Sequence, residues 1–373
     1  MMDRRACLGL FALGTAWLAC SCGRGPDAMD AAPTKGDGGA LPRRGVNLAG
    51  AEFGHDKPGF CAEERGAFGK DWTHPTEGTI AYFARHGLRL LRVPFRWERL
   101  QPRLGHELDP HELARLKKTL DLARGYGSRV LLDAHNYGRY ALKVGGVARP
   151  CRIDEEIGGR VPVSRAHFGD LWRRLAQAFA RHEALEGYGL MNEPHEMGDS
   201  DWKAVSNEAV RALREVDSTH SIYVAGEHWS SSWKWTTANG PSAWIDDPAG
   251  KVVYEAHCYF DADGSGTYTR SFEAELAADP DLLDRGVARL VDFAAWCERN
   301  RVRGFLGEYG VPRDDARWHE VAERFLARLD ALGMDSCAWA AGEWWGSYPL
   351  SLQPGHAFVT DAPLMRRLKR KRA

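Results

Sequence analysis

The chain has 373 residues, of which 44% are hydrophobic and 27% are charged, close to the averages of globular proteins. This balance excludes a disordered, collagen-like or polytopic membrane chain, and the length favours one large domain. The net charge of −1 provides no field that would attract nucleic acid, so a neutral substrate fits the composition best. The 14 tryptophans suit either a core or a surface that stacks on sugars, because indole offers a flat apolar face and one N–H donor.

Residues 1–22 have the pattern of an export signal. Arg4 and Arg5 precede an apolar run that ends at Leu18 and is too short to span a bilayer. Cys20 then occupies the position of the lipidated cysteine in a bacterial lipoprotein cleavage site, with Cys22 as the alternative. Ordinary cleavage with free secretion is the competing interpretation. We therefore predict export, with a lipid anchor as the only contact with a membrane.

Residues 23–42 are rich in Gly, Pro, Ala and Asp without an apolar period, which predicts a flexible tether before a single domain over 43–373. An odd number of cysteines, which cannot all pair, lies in this domain: Cys61, Cys151, Cys258, Cys297 and Cys337. Export permits disulfides, and we predict one between Cys61 and Cys151, because both fall in loops expected on the same face. None of the cysteines has the paired spacing of a zinc site.

Short apolar runs alternate with longer amphipathic stretches along the domain, which is typical of βα units. The runs that predict strands are 45–48, 88–94, 129–133, 187–191, 221–225, 251–256, 304–307 and 335–339. The clearest helix start is Asp109, Pro110 and Glu112, which combine an N-cap, a first-turn proline and an acid three residues after the cap. Eight strands with crossover helices predict a (β/α)8 TIM barrel with its active site at the C-terminal ends of the strands.

The residues that follow these strands are unusually polar and aromatic. Hydrolysis of a glycoside with retention requires two carboxyl groups roughly 5 to 5.5 Å apart, one as nucleophile and one as acid and then base. Glu193 follows the fourth predicted strand and Glu308 follows the seventh, and these strands can face each other across the mouth of a barrel. The pair therefore predicts a retaining glycosidase that needs no cofactor and no metal.

Motifs along most of the domain resemble glycoside hydrolase family 5, and the endo-β-1,4-glucanases, or cellulases, most closely. The matching stretches are Ala49–Gly54, Arg92–Phe95, Glu98–Leu100, His135–Tyr140, Asn192–Glu193, Tyr254–Tyr259, Asp263–Thr267, Gly307–Tyr309, Trp339–Gly342 and Trp344–Gly346. This resemblance implies a TIM barrel that hydrolyses β-linked glucan.

The resemblance also implies roles for individual residues. Glu193 is similar to the family's acid/base and Glu308 to its nucleophile, while Tyr259 resembles the tyrosine that hydrogen-bonds the nucleophile. Arg92 is expected to pair with Glu308 and keep it ionised, and Asn192 to contact the sugar 2-hydroxyl. The other residues predicted to bind substrate are His135, Asn136, His257, Trp229, Trp339 and Trp345.

Three departures from the compact cellulases stand out. The loop Ala141 to Val163 is long enough to wall one end of the cleft, which would favour short chains or chain ends over endo action. Glu227 and His228 stand where the family often has an asparagine before a tryptophan-bearing turn. Glu343 replaces a usual proline and either contacts a substituted glycan or, as we expect, faces solvent.

Several alternatives stay open at this point. The same catalytic pair serves enzymes that act on β-mannan, xyloglucan or β-1,3-glucan, because specificity resides in loop contacts. A surface carbohydrate-binding protein that has lost catalysis and a metal hydrolase on the same barrel are weaker rivals. We expect a monomer whose partner is a β-glucan polysaccharide or oligosaccharide.

Overall fold

Eight parallel strands close into a barrel in the computed structural model, which describes residues 41–355 and 357–369. The barrel strands are β1 (Arg44–Leu48), β2 (Leu90–Phe95), β3 (Arg129–Ala134), β6 (Leu185–Gly189), β7 (Ser221–Ala225), β8 (Val252–His257), β9 (Arg303–Glu308) and β10 (Asp335–Ala341). They pair in chain order, and β10 pairs with β1 to complete the ring. The predicted (β/α)8 barrel is confirmed, and each predicted strand overlaps one observed strand.

Helices cover the outside of the barrel. Their bounds are α1 (Glu77–Arg85), α2 (Trp97–Leu100), α3 (Pro110–Gly125), α4 (Arg165–Phe179), α5 (Trp202–Arg214), α6 (Trp235–Asn239), α7 (Phe272–Ala278), α8 (Arg285–Asn300), α9 (Ala316–Ala331) and α10 (Met365–Leu368). The predicted start of α3 is observed, since the Asp109 side chain accepts from the amides of His111 and Glu112 and Pro110 occupies the first turn.

The core has two layers, one inside the barrel and one between strands and helices. The inner layer consists of Leu90, Leu131, Tyr223, Val253, Phe305 and Cys337. Many tryptophans lie in the outer layer, and those with less than 2% exposure are Trp97, Trp172, Trp202, Trp235, Trp296 and Trp318. Because the inner layer fills the lower part of the barrel, only its upper mouth is left for a site.

The long loop after β3 contains a hairpin that the sequence did not predict. It consists of β4 (Arg139–Val144) and β5 (Val147–Arg152), which are antiparallel. Gly145 and Gly146 form the two-residue turn with φ values of 61° and 83°, and this left-handed pair matches the twist of a tight hairpin. The first part of the long segment after β3 is therefore a regular hairpin.

The predicted disulfide between Cys61 and Cys151 is wrong. All five cysteines of the described region are free and buried. Cys151 lies in β5 opposite Tyr140, and its Sγ is 3.8 Å from the carbonyl oxygen of Arg149. The backbone of Cys61 pairs with that of Glu64 in an isolated antiparallel β-bridge. The two thiols therefore belong to different local turns, although their loops are neighbours.

The predicted signal, Cys20 and nearly all of the predicted tether lie outside the described residues. Among the described residues, no helix combines the length and apolar character needed to cross a membrane.

Gly45 provides a test of barrel packing. A Cβ added there would lie 2.1 Å from the Leu90 carbonyl oxygen and 2.7 Å from Cys337 Sγ, and backbone on a paired strand cannot retreat. We expect Gly45→Ala to lower the free energy of unfolding by about 1–3 kcal/mol or more, measured by urea denaturation. Gly125→Ala is the matched control, because no atom lies within 4 Å of the added Cβ at the end of α3. Equal stability of the two variants would contradict this account of the barrel.

Candidate active site

Glu193 and Glu308 meet at the mouth of the barrel. Glu308 is the last residue of β9, and Glu193 follows β6 by four residues with a left-handed φ of 45°. One carboxylate oxygen of each and one ring nitrogen of His257 all lie within 4.8 Å of one another. Because β7 and β8 separate the two strands, the carboxylates reach each other only across the opening. The spacing is that of a nucleophile and a proton donor acting on one sugar without an intervening water.

Both oxygens of Glu308 are bonded. Arg92 Nη1 donates to Oε1 at 3.1 Å, and the Tyr259 hydroxyl donates to Oε2 at 2.8 Å. The Glu308 side chain is 1% exposed, whereas that of Glu193 is 12% exposed. The two carboxylates therefore differ, one held firmly in the barrel wall and the other reaching into the opening.

Arg92 is the centre of the buried polar network. Its guanidinium contacts Glu308, Asp133 Oδ1 at 3.1 Å and Glu255 Oε1 at 2.9 Å. It also donates to Asn192 Oδ1 at 2.7 Å. Burial alone would lower the pKa of Arg92, but these surrounding carboxylates raise it, so the guanidinium stays charged.

His135 is held as a neutral ring. Its Nδ1 donates to Asp133 Oδ2 at 2.7 Å, and its Nε2 accepts from Asn192 Nδ2 at 3.2 Å. Burial lowers the pKa of His135 to about 3. The hydrogen-bond partners thus assign the tautomer, with the proton on Nδ1.

His257 is held in the opposite charge state. Nδ1 donates to Glu193 Oε1 at 2.8 Å and Nε2 to Glu255 Oε1 at 3.2 Å, while Glu308 Oε2 is 3.8 Å from Nδ1. Burial would lower the pKa of His257, but the charge of Glu308 and the two carboxylate bonds raise it to about 10. The ring is an imidazolium between the two facing glutamates at neutral pH.

Asn136 is committed to the protein rather than to the cleft, although it was predicted to bind substrate. It is 1% exposed. Its Oδ1 accepts from the Trp97 amide at 2.9 Å, and its Nδ2 donates to Glu98 Oε2 at 2.8 Å and to the Arg139 carbonyl. The side chain thereby ties the end of β3 to α2, and both hydrogens of its amide are used within the protein.

The predicted aromatic residues lie around the glutamates. The ring of Trp339 packs nearly parallel to His135 at 5.4 Å, and Trp345 meets Trp339 edge to face at 5.9 Å. Trp229 stacks on His195 at 4.5 Å with an interplanar angle of 11°. Because His195 follows Glu193 by two residues, Trp229 lies on the Glu193 side of the site.

Other polar and aromatic residues that follow the strands have different surroundings. Trp233 and Trp344 are 38% and 40% exposed, and Trp233 is covered by the Arg289 guanidinium at 4.7 Å. Glu343 does not simply face solvent as expected, because its Oε1 accepts from the Thr76 amide at 2.8 Å. Burial raises the pKa of Glu227, whose side chain is half-buried beside the turn that carries Trp229.

The hairpin stands beside the Glu193 loop. Arg152 Nη1 and Arg139 Nη2 both donate to the carbonyl oxygen of Glu196, at 3.2 and 3.5 Å. On the other side, the Ala62 amide donates to the Ala141 carbonyl at 2.8 Å. The hairpin therefore connects the loop after β1 with the loop that carries Glu193.

Two members of the network, Asn47 and Glu255, are not among the residues predicted to form the site. Asn47 accepts from Arg92 Nη1 at 2.9 Å and donates to the Gly307 carbonyl at 2.8 Å. A signal for both exists in the sequence, since each is a polar residue with buried apolar or aromatic neighbours on either side in its strand. Such a residue must be paired when the strand is buried.

Comparison with known proteins agrees with the geometry. The profile of the family described as Cellulase (glycosyl hydrolase family 5) matches residues 46–344. Endo-β-1,4-glucanase A of Emericella nidulans is 30% identical over 327 residues, which cover 87% of this chain and 89% of that protein. The structure of Pseudomonas stutzeri endoglucanase Cel5A in complex with cellobiose is 36% identical, with a TM-score of 0.76 and coverage of 90% and 94%. The structure of endo-β-1,4-glucanase Xac0029 from Xanthomonas axonopodis pv. citri is 33% identical, with a TM-score of 0.74 and coverage of 88% and 98%.

The family match extends from β1 to the residues beyond β10 and so includes every strand that contributes to the site. The paired glutamates, the buried arginine and the closed barrel are all inside it. The chain therefore belongs to glycosyl hydrolase family 5, the cellulase family.

Proposed function

We propose that this protein is a retaining endo-β-1,4-glucanase that cleaves β-linked glucan through a glycosyl-enzyme intermediate. The observation that carries the proposal is the approach of Glu193 and Glu308, whose nearest carboxylate oxygens are within 4.8 Å. The relatives support the substrate, since they are endo-β-1,4-glucanases and one of them was solved with cellobiose.

In the first step, a Glu308 oxygen attacks the anomeric carbon while Glu193 gives its proton to the departing glycosidic oxygen. The bond from carbon to the leaving sugar breaks as the bond to Glu308 forms. In the second step, Glu193 takes a proton from water, and the resulting hydroxide displaces Glu308 from the anomeric carbon. Two inversions leave the product with the original anomeric configuration.

The contacts of the two glutamates suit this division of work. Glu308 is fixed by Arg92 and Tyr259, which orient one carboxylate oxygen for attack. Glu193 is more exposed, and its Oε1 accepts a hydrogen bond from His257 Nδ1. This bond holds the carboxyl group in place as Glu193 changes from acid to base.

We assign the surrounding residues to the sugar subsites. The ring of Trp339, backed by His135, would form the floor under the cleaved sugar, and Asn192 beside Glu193 would contact the 2-hydroxyl. Trp229 would receive the leaving-group side and Trp345 the opposite side. Stacking on indole suits sugars because their C–H faces are apolar.

We also infer that the enzyme is exported and that Cys20 carries a lipid anchor. The support is the charged, apolar and small-residue order of residues 1–22. A monomer suffices for this chemistry, since the described chain supplies both glutamates and their partners.

Glu308→Gln tests the nucleophile. The amide keeps the shape of the side chain but cannot attack, so we expect kcat on carboxymethyl-cellulose to fall by roughly 10⁴-fold or more. Binding of cellopentaose, measured by calorimetry, should persist. Glu320→Gln, an equivalent change on the exposed face of α9, should leave turnover unchanged. Wild-type rates in Glu308→Gln would contradict the proposed nucleophile and favour another residue.

Glu193→Ala tests the acid/base. Loss of the proton donor should slow hydrolysis of carboxymethyl-cellulose strongly, because its leaving group is a poor one without protonation. Formation of the glycosyl-enzyme from 2,4-dinitrophenyl β-cellobioside should be nearly spared, since that leaving group needs no proton. Added azide should restore turnover of the same substrate. An equal loss on both substrates would argue against this role for Glu193.

The substrate assignment is tested by product analysis. We expect carboxymethyl-cellulose to be cut internally and to give products of retained β configuration, observed by NMR before mutarotation. Glucomannan, xyloglucan and β-1,3-glucan should be cleaved more slowly than the β-1,4-glucan. A preference for one of those polymers would replace the proposed substrate, and an inverted anomer would overturn the mechanism.

A further inference from the structure

Glu255 is a buried carboxylate that the hydrolytic steps do not use. It lies within β8 and is 2% exposed, and none of the proposed steps places a sugar against it. Its Oε1 is 2.9 Å from Arg92 Nε and 3.2 Å from His257 Nε2. These two partners are the same groups that bond the two catalytic glutamates, Glu308 and Glu193.

Gly307 closes the remaining side of this carboxylate. A Cβ added at Gly307 would lie 1.9 Å from Glu255 Oε1 and 2.6 Å from its carboxyl carbon. Position 307, directly before Glu308, must therefore be glycine to leave room for the Glu255 carboxylate. The Glu255 carboxylate is therefore enclosed by the Arg92 guanidinium, the His257 imidazole and the backbone of β9 at Gly307.

A second acid and histidine provide an internal comparison. Asp133 and His135 repeat the spacing of Glu255 and His257, and Asp133 also contacts Arg92. The charge states nevertheless differ. Burial would raise the pKa of Glu255, but Arg92 and His257 lower it, whereas burial prevails and raises the pKa of Asp133. Glu255 is thus the more firmly ionised acid, and its histidine is the charged one.

We propose that Glu255 is a positioning residue of this site, holding Arg92 and His257 through one carboxylate and thereby aligning Glu308 and Glu193. The proposal rests on the proposed hydrolase function. Glu255 Oε1 contacts both Arg92, which bonds Glu308, and His257, which bonds Glu193. Arg92 and His257 come from opposite sides of the mouth. A displacement of the carboxylate moves both contacts together, and small misplacements of reacting groups are costly in rate.

The charged groups that act on His257 come from several strands. They are Glu255 on β8, Glu308 on β9, Glu193 after β6 and Asp133 on β3. Removal of the negative charge at Glu255 lowers the pKa of His257, because less negative charge then stabilises the imidazolium. This shift is a signature that a purely packing role for Glu255 would not produce.

The test compares Glu255→Gln with Asp133→Asn in the full chain. Each variant removes one negatively charged carboxylate beside Arg92, but only Glu255→Gln removes a carboxylate that is hydrogen-bonded to His257. We expect Glu255→Gln to lower kcat on 2,4-dinitrophenyl β-cellobioside by roughly 10- to 100-fold with little change in KM. In a histidine-labelled sample, NMR titration should show the pKa of His257 lowered in Glu255→Gln and still raised in Asp133→Asn.

Gly307→Ala provides a second route if Glu255→Gln fails to fold. It keeps every charge and displaces only the Glu255 carboxylate, so it should reproduce the loss of kcat and the shift of His257. A folded Glu255→Gln with wild-type kcat, or equal His257 titration in the two acid variants, would overturn the proposal. Failure of the wild-type protein to cleave any glucan would instead reject the proposed function, while the His257 titration would still decide the role of Glu255.

Discussion

The constraint on which the site depends is the burial of the Arg92 guanidinium at the upper end of the barrel. A buried cation is unfavourable unless carboxylates and amide oxygens surround it. Asp133, Glu255 and Glu308 supply the charge, and Asn47 and Asn192 supply further acceptors. Because these partners come from different strands, the contacts of the Arg92 guanidinium align the C-terminal ends of most of the barrel strands. Glu308 is thereby fixed before any substrate arrives.

The network also explains how two histidines with similar surroundings can differ in charge. His135 bonds one acid and one amide, and burial keeps it neutral. His257 bonds two acids and faces a third, and their combined charge outweighs burial. In the proposed mechanism, Glu193 gives a proton in the first step and recovers one in the second. An imidazolium bonded to Glu193 provides a stable partner for both states, whereas a neutral ring suits the floor beneath the sugar.

The loops around the mouth hold contacts that the sequence did not indicate. The hairpin after β3 joins the loop after β1 to the Glu193 loop through hydrogen bonds to backbone carbonyl oxygens. A pattern of side chains cannot predict such bonds. Glu343 caps the start of α1 instead of facing solvent. The buried thiols of Cys61 and Cys151 pack in separate turns. The hairpin and Glu343 have partners in distant segments of the chain, whereas the two thiols have theirs within their own turns.

The eight strands and their order were predictable from the sequence, as was the meeting of the two glutamates at the mouth of the barrel. The strands follow from side-chain periodicity and the position of the glutamates from the rule that active-site groups follow the strands of a barrel, whereas the residues around them came from the resemblance to family 5. Three features became clear from the folded chain alone: Asn136 holds a loop, Glu255 contacts both Arg92 and His257, and the two histidines differ in charge. These outcomes depend on burial and on distances between groups far apart in the chain, and neither quantity is encoded in local pattern.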